Sequence, residues 1–327
     1  MRQVCPAKHE KPSPILPDPS EPAVLIRPRV LDKRAPVMLE TSGWSDYALI
    51  DSGKGFKLER YGAYRITRPE AQALWTPRLS PAEWEAADAH FVGIGDDEAD
   101  GRWRYKRRLG ETWPIDYDGI RFFGRFTAFR HVGVFPEQAT HWDWMKDRIA
   151  RARRPVKILN LFAYTGIASL VAARAGAAVT HIDASKKAIG WARENQTLAG
   201  LTSLPIRWIC EDAAKFVERQ LRRGGHYDAI ILDPPKFGRG PKGETWDIFV
   251  DLPKMMRACR ALLSPDPLFV ILTAYSIRAS FLSIHELAAE CLAELGGLLE
   301  SGELVLREAG GGRALSTSLF SRWSANG

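Results

Sequence analysis

Three apolar runs in the second half of the sequence each end in an acidic residue that could bind a ligand. These acids are Asp183, Asp212 and Asp233. A carboxylate at the end of a buried strand can accept hydrogen bonds from both hydroxyls of a ribose, so Asp183 is a candidate cofactor ligand. Asp212 could accept from an adenine amino group or cap the helix that follows, and the two roles are compatible.

The third acid opens the run Asp233-Pro234-Pro235-Lys236-Phe237, which is the candidate catalytic loop. Two prolines directly after a strand stop it abruptly and stiffen the backbone. The Asp233 carboxylate and the Pro234 carbonyl could then both accept hydrogen bonds from a substrate amine, and Phe237 could stack on a flat base.

An earlier loop, Asn160-Leu161-Phe162-Ala163-Tyr164-Thr165-Gly166, follows the first apolar strand of this region. It lacks the Gly-x-Gly-x-x-Gly spacing that brings a backbone against a pyrophosphate, which argues against a nicotinamide-dependent oxidoreductase. A cofactor without phosphates does not need that spacing. Gly166 alone lets the chain pass close to a ligand as a helix begins.

Strands and helices alternate through this region. Strands are predicted at 156–162, 179–183, 206–210, 227–233 and 268–275, with helices at 168–175, 186–199, 213–223, 249–263 and 283–295. Continuous apolar strands alternating with helices indicate a parallel sheet covered on both faces. Two final strands, 303–307 and 316–323, have no helix between them and should form an antiparallel hairpin. Ligands bind such sheets at the carboxyl ends of the strands, where the candidate residues lie.

The first half of the chain has a different pattern. Residues 24–130 are predicted to be rich in β-structure, with hairpins around a turn at 52–55 and around Asp118-Gly119, and a helix follows at 137–154. The proline-rich start lacks the apolar core of a signal peptide. We therefore expect a flexible arm at 1–22, a β-rich substrate-side domain at 23–134 and an α/β domain at 135–327.

The overall charge favours acidic partners. The chain has 327 residues, a net charge of +7 and a pI of about 9.3. This favours nucleic acid first, although many soluble enzymes are mildly basic. Basic and aromatic residues interleave at 102–108, which suits phosphate contact and base stacking; a solvated strand face is the alternative. Further basic residues are Arg151, Arg153, Arg154, Arg239 and Lys242.

The four cysteines predict neither a metal site nor a disulfide framework. They form no Cys-x-x-Cys pair and no zinc-like cluster with histidine. Cys210 and Cys259 lie in apolar runs and are expected to be buried. A reducing cytoplasm fits this composition. No apolar run approaches the roughly 18 residues of a transmembrane helix, and nothing in the sequence predicts an oligomeric state.

The loop at 160–166, Asp183, Asp212 and the loop at 233–237 together resemble the class I S-adenosylmethionine-dependent methyltransferases. The similarity is greatest to the bacterial large-subunit (23S) ribosomal RNA methyltransferases, which also carry Asn-x-Phe-x-Tyr-Thr-Gly and Asp-Pro-Pro-x-Phe loops. The resemblance covers roughly residues 130–323. Residues 131–138 look like the segment that lies over the cofactor in that group.

The resemblance implies a Rossmann-like seven-stranded sheet whose last strand is antiparallel. It also implies S-adenosylmethionine as the cofactor and S-adenosylhomocysteine as the product. Residues 162–166 would face the methionine part, Asp183 the ribose, Asp212 the adenine, and the loop at 233–237 the target. The candidate cofactor-binding residues are Phe135, Gln138, Asn160, Phe162, Ala163, Tyr164, Thr165, Gly166, Asp183, Ala184, Ser185, Asp212 and Ala213.

The target atom is open, but one chemistry is disfavoured. Methylation of carbon-5 of a pyrimidine needs a cysteine that adds to the ring. Family members place it after the fifth strand, where this chain reads Thr273-Ala274-Tyr275-Ser276. Lys236 also separates the prolines from Phe237, unlike in amino-methylating DNA enzymes. We expect direct in-line methyl transfer to a base of RNA, with ribosomal RNA favoured. The alternatives are a protein or small-molecule methyltransferase and a non-catalytic RNA-binding module that keeps the fold.

Overall fold

A computed structural model of the protein describes residues 35–93, 101–240, 243–275 and 277–325. The predicted arm at 1–22 lies outside these ranges, as do Lys242 and Ser276. From Pro36 onwards the chain forms one compact unit. The domain boundary predicted between residues 134 and 135 stays a prediction.

The N-terminal part of this unit is built mainly of strands. They are β1 (Val37–Thr41), β2 (Tyr47–Gly53), β3 (Phe56–Tyr61), β4 (Tyr64–Pro69), β5 (Ala89–Val92), β6 (Arg102–Tyr105), β7 (Thr112–Tyr117) and β8 (Ile120–Arg125), with a short helix α1 (Pro81–Glu85) before β5. Strands β2 to β6 form a five-stranded sheet, and β7 and β8 form a separate hairpin. Both predicted hairpins are present. At the first, Lys54 and Gly55 adopt φ values of 51° and 78°, which match a two-residue turn between twisted strands.

The second part alternates helices and strands as predicted. The helices are α2 (Ala139–Arg151), α3 (Ile167–Arg174), α4 (Lys186–Leu198), α5 (Ala213–Arg222), α6 (Ile248–Leu262) and α7 (Phe281–Leu292). The strands are β9 (Val156–Leu161), β10 (Ala177–Asp183), β11 (Ile206–Cys210), β12 (Ala229–Leu232), β13 (Phe237–Arg239), β14 (Thr245–Asp247), β15 (Phe269–Tyr275), β16 (Leu298–Arg307) and β17 (Ala314–Ser324). Short 3-10 helices lie at Pro136–Gln138 and Ala293–Leu295.

The large sheet has the order β1-β16-β17-β15-β12-β9-β10-β11. Strands β9, β10, β11, β12 and β15 pair in parallel, whereas β17 is antiparallel to both β15 and β16. The predicted Rossmann-like sheet with an antiparallel last strand is therefore confirmed. An eighth strand, β1, adds to its edge in parallel with β16. This addition was not predicted, because β1 alternates half-buried and exposed residues like any short edge strand.

Both faces of the sheet are covered. Side chains alternate along β9, so Leu159 and Leu161 pack with helices α5 to α7, while Ile158 joins the core formed with α2 and α3. Trp44 and Trp113 of the N-terminal part belong to that second core. The N-terminal strands and one face of the large sheet thus share a hydrophobic core.

The cysteines behave only partly as predicted. Cys259 is buried on α6, and burial raises the pKa of its thiol. The prediction for Cys210 is wrong, because its residue is exposed at the end of the edge strand β11, where the thiol approaches the Ala184 carbonyl at 3.6 Å. No helix in the described ranges is long and apolar enough to cross a membrane.

A buried carboxylate joins the five-stranded sheet to the end of β16. The Glu308 side chain accepts hydrogen bonds from the N–H and hydroxyl of Ser52 at 3.0 and 2.7 Å and from the N–H of Arg313 at 3.0 Å. The Ala309 N–H donates to the Leu49 carbonyl at 2.7 Å. Since Ser52 and Leu49 lie on β2, these bonds connect the two sheets.

We predict that Glu308→Ala lowers the free energy of unfolding by about 2–4 kcal/mol, because buried N–H groups lose a charged acceptor. Urea denaturation measures this change. Glu303→Ala, within β16 and half-buried, is the matched control and should change stability by less than about 0.5 kcal/mol. Equal losses in the two variants would contradict this role of Glu308.

Candidate active site

The register of three central strands brings the candidate residues to one level. Leu161 of β9 lies opposite Ile182 of β10 on one side and Leu232 of β12 on the other. The residue that follows each of these lies at the carboxyl edge of the sheet. Those following residues are Phe162, Asp183 and Asp233.

A cavity of about 470 Å³ opens at this edge, a size suited to a small organic ligand. It is lined by twelve of the predicted site residues: Phe135, Gln138, Phe162, Tyr164, Asp183, Ala184, Ser185, Asp212, Ala213, Asp233, Pro234 and Pro235. The structure therefore brings most of the predicted site together.

Six predicted residues do not line the cavity: Asn160, Ala163, Thr165, Gly166, Lys236 and Phe237. The Asn160 amide is buried and donates to the Ser169 hydroxyl at 3.0 Å, and the Thr165 hydroxyl donates to the Gly133 carbonyl at 2.8 Å. The first bond joins β9 to α3, and the second holds the loop after β9 against the segment before α2. Lys236 and Phe237 are exposed beyond the prolines.

The loop after β9 turns sharply beside the cavity. Phe162, Tyr164 and Gly166 have φ values of 56°, 46° and 81°. A Cβ on Gly166 would lie 2.9 Å from the Ala192 side chain and 3.0 Å from Trp208, so only glycine fits there. The close packing of this loop on α4 and β11 sets the wall of the cavity.

Asp183 has acceptor capacity beyond its present bonds. One carboxylate oxygen accepts from the Tyr164 N–H at 2.9 Å and the other from the Ser185 N–H at 2.8 Å. Burial raises the pKa of this carboxyl, and the two N–H groups partly oppose the shift. Because an ionised carboxylate can accept about four hydrogen bonds, lone pairs are left for ligand hydroxyls.

Asp212 has a structural role in addition to its place in the cavity wall. Its side chain caps α5 by accepting from the Lys215 N–H at 3.0 Å. The cap leaves the second carboxylate oxygen for a ligand donor. The two roles expected for Asp212 are therefore geometrically compatible.

The Asp233 carboxyl titrates near neutral pH. Burial of the carboxyl is the larger cause and the negative charge of the nearby Glu137 the smaller one, and together they raise its pKa from 3.8 to about 7. The Gln138 amide donates to one carboxyl oxygen at 3.0 Å, and the amide oxygen accepts from the Thr273 hydroxyl at 3.4 Å. Thr273 thereby orients the amide that orients Asp233. A carboxyl with this pKa can exchange a proton at neutral pH.

An indole holds the proline loop in place. The Trp246 ring N–H donates to the Pro235 carbonyl at 2.7 Å, and the ring lies 4.8 Å from that of Phe162. Trp246 lies on β14, which pairs with β13 directly after the loop. The small hairpin links the candidate catalytic loop to the loop after β9.

Two buried cations from the N-terminal sheet reach the same cavity and were not predicted. Lys57 on β3 pairs with Glu70 at 3.1 Å, and Arg68 on β4 donates to Glu59 at 3.0 Å and to the Tyr61 hydroxyl at 2.7 Å. Their strands are short and mixed in polarity, so the sequence carried no signal that they face the site.

The segment before α2 and the end of β15 complete the wall. The Arg130 guanidinium donates to the Tyr275 hydroxyl at 3.0 Å, and both residues line the cavity. Burial lowers the pKa of His131 to about 4, which keeps its ring neutral. Within the described ranges no cysteine lines the cavity, and no cluster of three potential metal ligands occurs.

Comparison with known proteins gives a consistent result. A family model for S-adenosylmethionine-dependent methyltransferases matches residues 81–294. A SAM-dependent methyltransferase from Agrobacterium tumefaciens is 62% identical, and the match covers 90% of this chain and 95% of that chain, with a TM-score of 0.86. A structure from Streptococcus mutans shares the fold at 17% identity, with a TM-score of 0.67 over 86% of this chain and 76% of that chain.

Two curated relatives have more specific names. The ribosomal RNA large subunit methyltransferase K/L of Syntrophotalea carbinolica is 32% identical over 186 residues, which are 56% of this chain and 25% of that protein. The ribosomal RNA large subunit methyltransferase K of Neisseria meningitidis is 24% identical over 226 residues, or 65% and 61% of the two chains. The chain thus spans about a quarter and three fifths of these relatives.

We predict that Asp233→Asn raises the free energy of unfolding at about pH 8, because the variant removes a buried charge. Because the pKa of Asp233 is raised on folding, the folded state binds more protons than the unfolded state between about pH 4 and 7. The free energy of unfolding of the wild type therefore falls as the pH rises through that range. Urea denaturation should show the advantage of the variant shrinking as the pH falls from about 7 towards 4. The exposed Asp147→Asn is the control, and a pH-independent difference for Asp233→Asn would contradict the shift.

Proposed function

The chain belongs to the S-adenosylmethionine-dependent methyltransferases, and we propose that it methylates a base of ribosomal RNA by direct in-line transfer. The observation that carries this proposal is the Asp233 carboxyl, which titrates near neutral pH between the predicted cofactor residues and a cationic wall. S-adenosylhomocysteine is the second product.

The residues at the strand ends fit the cofactor. Asp183 would accept the ribose hydroxyls with its remaining lone pairs, and Asp212 with the Ala213 backbone would contact the adenine. Phe162 and Tyr164 would face the methionine part. The loop has a tight turn at Gly166 but no phosphate-binding glycine pattern, which suits a ligand without phosphates. The two carboxylates suit a cationic nucleoside.

The bound cofactor supplies an electrophilic methyl group on a sulfonium. The protein has to align the acceptor and exclude water, and positioning alone lowers such a barrier by several kcal/mol. Pro234 and Pro235 stiffen the backbone beside the acceptor, and Trp246 holds that backbone through the Pro235 carbonyl. Phe237, 57% exposed, lies where a base could stack as it enters.

Asp233 is suited to hold and then accept a proton of the acceptor base. Near its pKa of about 7 a substantial fraction is ionised at neutral pH, and desolvation makes the ionised form a better base than an ordinary aspartate. Gln138 keeps one oxygen occupied, which directs the other towards the cavity. An acceptor atom with a free lone pair needs only the orienting role.

A covalent enzyme–base intermediate is not part of the proposed mechanism. Carbon-5 chemistry on a pyrimidine requires a thiolate at the acceptor. The described cysteines are elsewhere: Cys210 is at the edge of the sheet, Cys259 is buried on α6 and Cys291 is on α7.

Ribosomal RNA is the favoured substrate for two reasons. The curated relatives are named as large-subunit ribosomal RNA methyltransferases, and the chain carries a net charge of +7. If the target base is paired, it must be flipped out of its stack to reach the cavity. A cytoplasmic location accords with this substrate and with the free thiols of the described cysteines.

We expect Asp183→Ala to weaken binding of S-adenosylmethionine by about 1.5–3 kcal/mol, the size of hydrogen bonds to a charged group. Isothermal titration calorimetry measures the change. Asp183→Asn should lose less affinity, because its amide oxygen is still an acceptor. The control Asp147→Ala, at an exposed position, should bind S-adenosylmethionine as the wild type does. Wild-type affinity of Asp183→Ala would refute the assignment.

Loss of the Asp233 carboxyl should slow methyl transfer by at least about a hundredfold. Ribosomal RNA from a strain that lacks the gene should lack one methyl mark by mass spectrometry, and purified wild-type protein should restore it. Asp233→Ala should fail to restore the mark while Asp147→Ala succeeds. Restoration by Asp233→Ala at the wild-type rate, or an unchanged set of marks in the deletion strain, would contradict the proposed function.

A further inference from the structure

A second depression, of about 580 Å³, lies on the N-terminal β-structure away from the cofactor residues. It is formed by the segment from Tyr105 to Thr112 after β6, together with the end of β8. Arg107, Arg108 and Arg125 lie on its wall, and the only acid there among the described residues is Glu111. The depression is therefore cationic.

Aromatic rings form the floor of the depression. The Tyr105 side chain is 50% exposed, and its ring lies 5.1 Å from that of Phe126. Phe126 in turn lies 4.9 Å from Trp103, and Tyr64 packs on it nearly parallel at 6.3 Å. These half-buried rings hold Phe126 and Tyr105 in place, so the exposed Tyr105 ring is available to stack on a flat ligand.

The arginines retain donors for an anion. Arg107 pairs with Asp88 at 2.9 Å and Arg125 with Glu194 at 2.6 Å, but their side chains remain 61% and 33% exposed. Arg108 is exposed and has no acidic partner in the described part of the chain. Unpaired guanidinium donors beside an aromatic ring are the elements of a nucleotide site.

A short segment connects this depression to the active-site cavity. The Trp103 ring N–H donates to the carbonyls of Thr127 and Phe129 at 3.0 and 3.2 Å, which anchors the segment to β6. Phe129 is 46% exposed and stacks on His131 at 5.7 Å, and His131 lines the active-site cavity. The exposed rings of Tyr105 and Phe129 therefore lie along the surface between the two cavities.

We propose that this depression binds single-stranded RNA next to the target nucleotide, with a base stacked on Tyr105 and phosphates held by Arg108 and Arg125. The proposal rests on the proposed function and names a part of the substrate that the active site does not touch. An unpaired strand is required, because bases within a duplex stack on one another and offer no free face to Tyr105.

The spacing suits a short stretch of RNA. The chain from Phe126 to Arg130 spans at most about 14 Å even when fully extended. A stacked strand advances about 3.4 Å per nucleotide, so about four nucleotides cover that distance. One strand can thus occupy both cavities while its bases contact Phe129 between them.

Fluorescence anisotropy of the full chain with a labelled single-stranded oligouridylate tests the proposal. Tyr105→Ala should weaken binding roughly tenfold through loss of stacking, and Tyr105→Phe should bind like the wild type. Arg108→Ala should weaken binding and lower the slope of log affinity against log salt by about 0.7. Thermal denaturation checks that these exposed substitutions leave the fold intact.

Matched controls lie elsewhere on the chain. Phe56→Ala removes a ring that is 44% exposed; Phe56 lies at the start of β3, whereas Tyr61 at the other end of that strand pairs with Tyr64. Arg222→Ala removes an exposed arginine at the end of α5. Both should bind oligouridylate as the wild type does. Equal losses in these controls, or wild-type binding by Tyr105→Ala and Arg108→Ala, would overturn the proposal.

Competition separates RNA from other acidic partners. Unlabelled oligouridylate should displace the probe far better than duplex RNA or polyglutamate, and equal displacement by either would also overturn the proposal. These measurements do not depend on methyl transfer. If Tyr105→Ala loses RNA binding but the wild-type protein restores no ribosomal RNA mark, the proposed function is refuted while this binding site stands.

Discussion

The parallel register of β9, β10 and β12 is the constraint on which the site depends. Leu161 pairs with Ile182 and with Leu232, so three adjacent strands end within one residue of the same level. The next residue along the chain from each of these lies at this edge of the sheet, and two of the three are carboxylates, Asp183 and Asp233. A shift of one strand by one residue would turn its carboxylate to the other face and place an apolar residue, Ile182 or Leu232, in the cavity.

The two carboxylates differ because their hydrogen-bond partners differ. Asp183 receives two backbone N–H groups, which favour its ionised form and oppose the effect of burial. Asp233 receives only one amide N–H and lies near Glu137, so its burial is less opposed and its pKa rises to about 7. The same edge of the sheet thus provides one carboxylate suited to binding and one suited to proton transfer.

Much of the fold and about two thirds of the candidate site could be predicted from the sequence, and the limits have physical causes. Apolar strands alternating with helices specify a doubly covered sheet, and strand ends specify where ligands bind. Cys210 looked buried in its apolar run, but an edge strand leaves one side open, which periodicity does not reveal. Lys57 and Arg68 were missed because only tertiary packing brings β3 and β4 to the cavity.

The N-terminal sheet does more than carry charge to the site. Its two cations in the cavity are paired with buried acids, so their cost of desolvation is met within the sheet and their remaining donors keep a fixed direction. Glu308 and the shared core hold that sheet against the large sheet, which fixes the cations relative to Asp233. The cofactor side of the cavity is thus built from strand ends that any sheet of this topology provides. The opposite side, where we propose that the methyl acceptor enters, depends on a second sheet, and there selection between one acceptor and another can act.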